Sequence, residues 1–154
     1  MDIDDPRLVQ AHKDMTARIE RYDERIVTVL KSHLGVEQCL DDLLKTASRR
    51  WRGRTFAGKI DVAQKLFLPE LDEHIWSVLK AGNNLRNAVA HGDKEGTITA
   101  RMTDLRKAYV AAVSPEQREG VEEMTDTQMV GSAFNHCGSH LVVATDRRAE
   151  KKQK

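Results

Sequence analysis

Apolar residues recur in steps of three and four along almost the whole of this chain, and that rhythm excludes most folds before any motif is considered. A helix brings positions three and four apart onto one face, whereas a strand repeats every two. Leu71, Ile75, Val78, Leu79, Gly82, Leu85 and Val89 show the helical repeat most clearly, and no convincing strand or internal repeat interrupts it. Composition agrees, because 5% aromatic residues leave little for a β-sandwich core, while 40% hydrophobic and 32% charged residues suit a helix-rich globule. A length of 154 residues is that of one ordinary domain. The expected fold is all-α: an up-and-down bundle of about five helices, forming a single domain over residues 1–146, followed by a charged, frayed tail at 147–154.

Local signals place the elements. Asp4 or Asp5 caps a first helix that opens on Pro6, where a missing N–H costs nothing. Its seam runs through Leu8, Met15, Ile19, Tyr22, Ile26 and Val29 as one long bundle helix. Around Ser32 to Gly35 the pattern kinks or restarts, so either one bent helix or two continue through Val36, Cys39, Leu40, Leu43, Leu44 and Ala47 to about Ser48. A shorter helix follows from Phe56 to Phe67, then a longer one from Pro69 to His91, which Gly92 stops. Beyond a polar turn lie a helix from Ile98 to Val113, a weakly patterned stretch from Glu116 to Thr125, and a final helix from Asp126 to about Asp146.

Charge and cysteine content exclude several classes of function. With 25 basic and 24 acidic residues the net charge is +1, so no global field draws the chain to nucleic acid or anionic lipid, and any such contact must be local. No apolar run approaches the roughly 18 residues of a membrane span, and the acidic start Met1–Asp5 is unlike a secretory signal, so the expected location is cytoplasmic. Cys39 and Cys137 lack metal-knuckle spacing and read as buried thiols. His136 and His140 share a helical face with Cys137 between them, but no fourth ligand accompanies them, and neither a metal nor a cofactor is expected.

The helix from Pro69 to His91 carries the chemistry. At about 100° per residue its core face holds the apolar positions above, and Trp76, Lys80, Asn83, Asn84, Asn87 and His91 fall opposite. A tryptophan with three amides on an outer face suits a ligand or partner better than solvent. Arg86 lies on the flank, about 140° from His91, while Asn87 and His91 share a face. Arginine and histidine therefore converge only if Arg86 wraps round the helix, if His91 sits on an unwinding last turn, or if a second subunit completes the site. A self-complementary patch along Trp76 to His91 favours the third, a homodimer.

The run Arg86-Asn87-Ala88-Val89-Ala90-His91-Gly92 resembles the arginine-to-histidine signature of the HEPN superfamily. Thr55-Phe56-Ala57-Gly58-Lys59-Ile60, Leu66 and Leu85-Arg86-Asn87 are similar to its branch of mannitol-operon-repressor-like proteins. The resemblance implies a helical bundle that often dimerises and, in active members, metal-independent cleavage of RNA at the matching Arg86, Asn87 and His91. It implies equally a family with non-catalytic regulatory members acting through protein partners, and toxin–antitoxin or phage-defence modules in which an antitoxin would be the partner. A histidine exchanges protons near neutral pH, and a guanidinium fork fits phosphate oxygens, so the residue types suit attack by a ribose 2′-hydroxyl. Lys80, Asn83 and Asn84, with the basic loop Arg49, Arg50, Trp51 and Arg52, are the expected RNA contacts, Trp51 either stacking a base or facing the core. Glu37 is a candidate to orient the site. A DNA-binding regulator fits less well, because the charge is near neutral and no helix-turn-helix is recognisable.

Overall fold

A computed structural model describes residues 5–20, 23–47, 51 and 54–154, and among them the chain is helical throughout, without a strand. Seven helices run through these residues: α1 Pro6–Glu20, α2 Glu24–Lys45, α3 Phe56–Phe67, α4 Glu73–Ala90, α5 Glu95–Ala112, α6 Pro115–Glu123 and α7 Asp126–Gln153. The all-α class is as expected; the count exceeds five for two local reasons. Asp23 caps α2 by accepting a hydrogen bond from the Ile26 N–H at 3.1 Å, which ends the first helix before Ile26 and Val29. The weakly patterned stretch after Ser114 folds as α6, opened by Pro115 at its first turn.

Four further expectations are corrected. α1 starts at Pro6 as anticipated, yet it buries none of its residues, and Leu8, Met15 and Ile19 are exposed rather than packed. Tyr22 lies outside the described residues. α2 passes through Ser32–Gly35 without a break, since a single glycine lowers helix propensity but does not end a helix whose other face is packed. Pro69 falls in the turn before α4 rather than inside it, and Asp72 starts the helix by accepting from the His74 N–H at 2.8 Å. The charged end is not frayed: α7 continues to Gln153, Arg148 Nε donates to Thr46 Oγ1 at 2.9 Å and Nη1 to Glu70 Oε1 at 3.2 Å, and Lys152 Nζ donates to the Thr46 carbonyl at 2.6 Å.

α2 and α7 form the most extensive helix pair and run parallel, Thr28 lying near Gly131 and Val36 and Cys39 near Gly138. α4 runs antiparallel to α7: its Gly82 faces Phe134, and the Cys137 thiol lies 3.9 Å from the Ile75 carbonyl. A Cβ on Gly82 would stand 2.7 Å from Phe134 Cζ, so this glycine is the residue that lets the two helices close. α3 packs on α2 and α4, α5 on α4, and α6 on α5. The core is one cluster, with Leu40, Leu43 and Leu44 from α2, Trp76, Leu79 and Leu85 from α4, and Met129, Ala133 and Leu141 from α7 fully buried. Each large side chain there contributes roughly 1.5–3 kcal/mol of transfer free energy. Where α2, α5 and α7 meet, charge replaces packing: Arg106 Nη2 reaches Asp126 Oδ1 at 2.9 Å and its Nη1 donates to the Val121 carbonyl at 2.8 Å, while Arg25 bridges to Glu95 at 2.8 Å and lies 4.0 Å from Asp126.

Candidate active cleft

α4 ends as its sequence dictates. Gly92 takes φ +65°, its N–H donates to the Val89 carbonyl at 3.1 Å, and the Asp93 N–H donates back to Ala88 at 3.0 Å, the paired bonds of a glycine-terminated helix. His91 is the C-cap residue (φ −83°, ψ −3°), exposed on the last turn, and its own N–H still donates to Asn87 at 2.9 Å.

Arg86, Asn87 and His91 all border one cleft of about 470 Å³ between α2, α3 and α4. They border it within a single chain, His91 standing on the final turn of α4. Arg86 Nη1 donates to Asn87 Oδ1 at 3.3 Å, which ties the guanidinium to the neighbouring amide. Glu37 and Asn83 also line the cleft, with Thr55, Phe56 and Ala57 from the first turn of α3. That turn is the positive end of a helix dipole, so together with Arg86 it suits an anion.

Among the titratable members of the cleft, sequence reasoning passed over His33 of α2, which is 4% exposed. Its ring centroid lies 4.4 Å from that of Phe56 and 6.1 Å from that of Phe134. The signal was its register: Val29, His33, Val36 and Leu40 follow the three-and-four repeat, which sets an imidazole on the buried face of α2. Burial, and then the Arg86 charge, hold its pKa below the ordinary histidine value, against the opposing pull of Glu37 and of a hydrogen bond with Asn83. The balance favours the neutral ring.

Glu37 is engaged at its other side. Lys59, on α3 and 8% exposed, donates to Glu37 Oε1 at 3.1 Å and lies 2.8 Å from Asp41 Oδ1. Burial works against the ammonium, but its hydrogen bonds to Asp41 and Glu37 outweigh that and raise its pKa. This pair of bridges fastens α3 to α2 along one edge of the cleft.

The remaining expected contacts separate from the site. Trp76 is 0% exposed, so the outward stripe from Trp76 to His91 is not a continuous surface and cannot serve as drawn for a two-fold contact. The reason is that α4 packs against α2, α3, α5 and α7, which covers the side of the wheel opposite Leu79 as well. Asn83 is buried at the cleft, whereas Asn84 and Lys80 are exposed and outside its lining, Lys80 Nζ donating to Gln64 Oε1 at 2.8 Å. Trp51 is core-facing at 7% exposure, with the Lys59 ammonium 5.5 Å from its ring, so it is not a free stacking platform. Arg49, Arg50 and Arg52 lie outside the described residues. Cys137 is buried, its thiol pushed up to about 12 by desolvation, and Cys39 is half-buried with its pKa also raised, first by burial and then by Asp42. His136 and His140 contact each other, ring centroids 4.6 Å apart, but among the described residues no three metal-donor side chains gather. Among them, too, no helix is long and apolar enough to cross a membrane.

Comparison of the chain with protein-family models, curated proteins and solved structures returned no match.

Proposed function

We propose that this protein is a metal-independent endoribonuclease of HEPN type, acting in a toxin–antitoxin or phage-defence setting in the cytoplasm. The observation that carries the reading is the convergence of Arg86, Asn87 and His91 on one cleft beside the N-terminal turn of α3. Arg86 offers two N–H donors to the non-bridging oxygens of a phosphodiester and stabilises the charge that grows there during displacement. Asn87, held to Arg86, fixes the fork. His91, exposed at the helix end, exchanges a proton with the reacting ribose or leaving oxygen. DNA lacks the attacking 2′-hydroxyl and is refused.

The test is incubation of the purified protein with total RNA in EDTA beside His91→Ala and Arg86→Ala. Cleavage by wild type is expected, falling by about 10²–10⁴-fold in His91→Ala, with helical circular dichroism unchanged. Growth arrest on expression, relieved by either substitution, is the matching cellular result. Undiminished cutting by His91→Ala would remove the histidine from the mechanism, and no cutting of several RNAs would remove the nuclease.

A second reading, a non-catalytic regulatory protein acting through a protein partner, is favoured by a different surface. Ser32, Gly35, Val36 and Cys39 of α2 and Phe134, Gly138, Val142 and Val143 of α7 line an apolar groove of about 550 Å³, remote in sequence from the Arg86–His91 segment. Under that reading Val142→Glu abolishes function while His91→Ala leaves it intact.

A further inference from the structure

Resting on the nuclease reading, one atom in the cleft stands out. His33 Nε2 is buried and has no hydrogen-bond partner, although it belongs to a ring that lines the cleft beside Arg86, Asn87 and His91. Leaving a buried polar atom unpaired costs about 1–3 kcal/mol, and an apolar residue at this position between Phe56 and Phe134 would avoid that cost. Asn83 lies close enough to raise the ring's proton affinity, and because Nε2 has no partner, Nδ1 is the atom left to face that amide. A neutral imidazole that gives its Nδ1 proton to the Asn83 amide oxygen keeps a lone pair on Nε2. The atom is then an acceptor without a donor, in a ring that lines the same cleft as a guanidinium suited to phosphate. A hydroxyl adjacent to a phosphodiester is the group that satisfies both, and in nucleic acid that hydroxyl is the ribose 2′-OH.

We propose that His33 is a catalytic residue whose Nε2 accepts the proton of the substrate's ribose 2′-hydroxyl. The step balances without a co-reactant. The O2′–H bond breaks as Nε2 takes the proton, O2′ forms a bond to phosphorus, and the P–O5′ bond breaks as protonated His91 gives its proton to O5′. The products are a 2′,3′-cyclic phosphate and a free 5′-hydroxyl, and proton exchange with water resets both rings. Burial does most to favour the deprotonated ring that a base requires, and Arg86, while holding the phosphate, adds its charge to that effect. Base and acid come from different helices, α2 and the end of α4, so the pair is complete in one chain.

The experiment compares wild type with His33→Gln and His33→Phe, all checked for equal helical content, on a short mixed-sequence RNA and its 2′-deoxy counterpart. Cleavage of the RNA falls by about 10²–10⁴-fold in both variants, and the acidic limb of the kcat pH profile, which reports deprotonation of the base, disappears. In wild type the His33 ring Cε1–H resonance moves on adding RNA but not DNA. Wild-type rates in either folded variant, or a lowered rate with the acidic limb intact, overturn the role of His33 while leaving the nuclease standing. A His33 shift specific to RNA in a wild-type protein that cuts nothing keeps the hydroxyl contact and removes the nuclease. No shift with RNA removes the contact.

Discussion

α1 and the last two turns of α7 sit at opposite ends of the chain and invert the usual relation between apolar pattern and packing. α1 carries Leu8, Val9, Met15 and Ile19, all exposed, and buries nothing. The end of α7, Arg147–Gln153, has hardly an apolar side chain, yet Arg148 stacks its guanidinium carbon 4.4 Å over the Phe67 ring and reaches Thr46 and Glu70. An amphipathic repeat states that a helix has a face; whether that face is met depends on chain elsewhere. Long cationic side chains attach to a body by their stems and heads, which no repeat of apolar residues records.

Substitutions in the packed body, at its charged end and in α1 order this contrast by size. Trp76→Ala, at a fully buried position, should lower unfolding free energy by about 3–5 kcal/mol, read by urea denaturation; a loss below 1 kcal/mol would mean that α4 is not buried on that side. Gly82→Ala should cost about 1–3 kcal/mol, because the new methyl meets Phe134 and outweighs the gain in helix propensity. Arg148→Ala should cost about 1–2 kcal/mol through its lost hydrogen bonds and ring contact, and a null effect would return the end of α7 to the status of a tail. Acid acts on the body next. His33 and His136 both have pKa values below the ordinary 6.5, so the unfolded chain binds more protons; stability is fully present above pH 6.5 and is lost as pH falls through the folded values. Denaturation midpoints should therefore drop from pH 7.5 to pH 5, less steeply in His33→Phe. Removal of residues 1–20 should change stability by no more than about 0.5 kcal/mol; a larger loss would show that α1 is packed after all.

The same contrast explains what could be read beforehand. The class, the span of α3 and the stop of α4 at Gly92 follow from local rules of periodicity, capping and φ, and these act on neighbours in sequence. Trp76 could not be placed, because a wheel divides a helix into two faces while α4 has neighbours on several. The break before α2 rests on a single cap, Asp23, in a stretch where the apolar repeat runs on undisturbed. At the candidate site, Arg86, Asn87 and His91 were legible as a local motif, and Glu37 as a candidate. His33 was not, because its relation to Arg86 exists only once α2 lies beside α4; a histidine in register with Val29 and Val36 was the one trace it left.

The cluster of Arg25, Glu95, Arg106 and Asp126 gives the molecule an uneven response to ionic strength. Glu95 is largely open to solvent and Asp126 partly so, and at about 1 M salt the Debye length shrinks to roughly 3 Å. The junction of α2, α5 and α7 then loses much of its attraction, while the seam of Gly82 against Phe134, held by shape, does not. Salt thus acts on this junction ahead of the apolar seam, and amide exchange in α6 and the first turns of α5 and α7 should rise with salt before any change reaches Gly82 and its neighbours in α4.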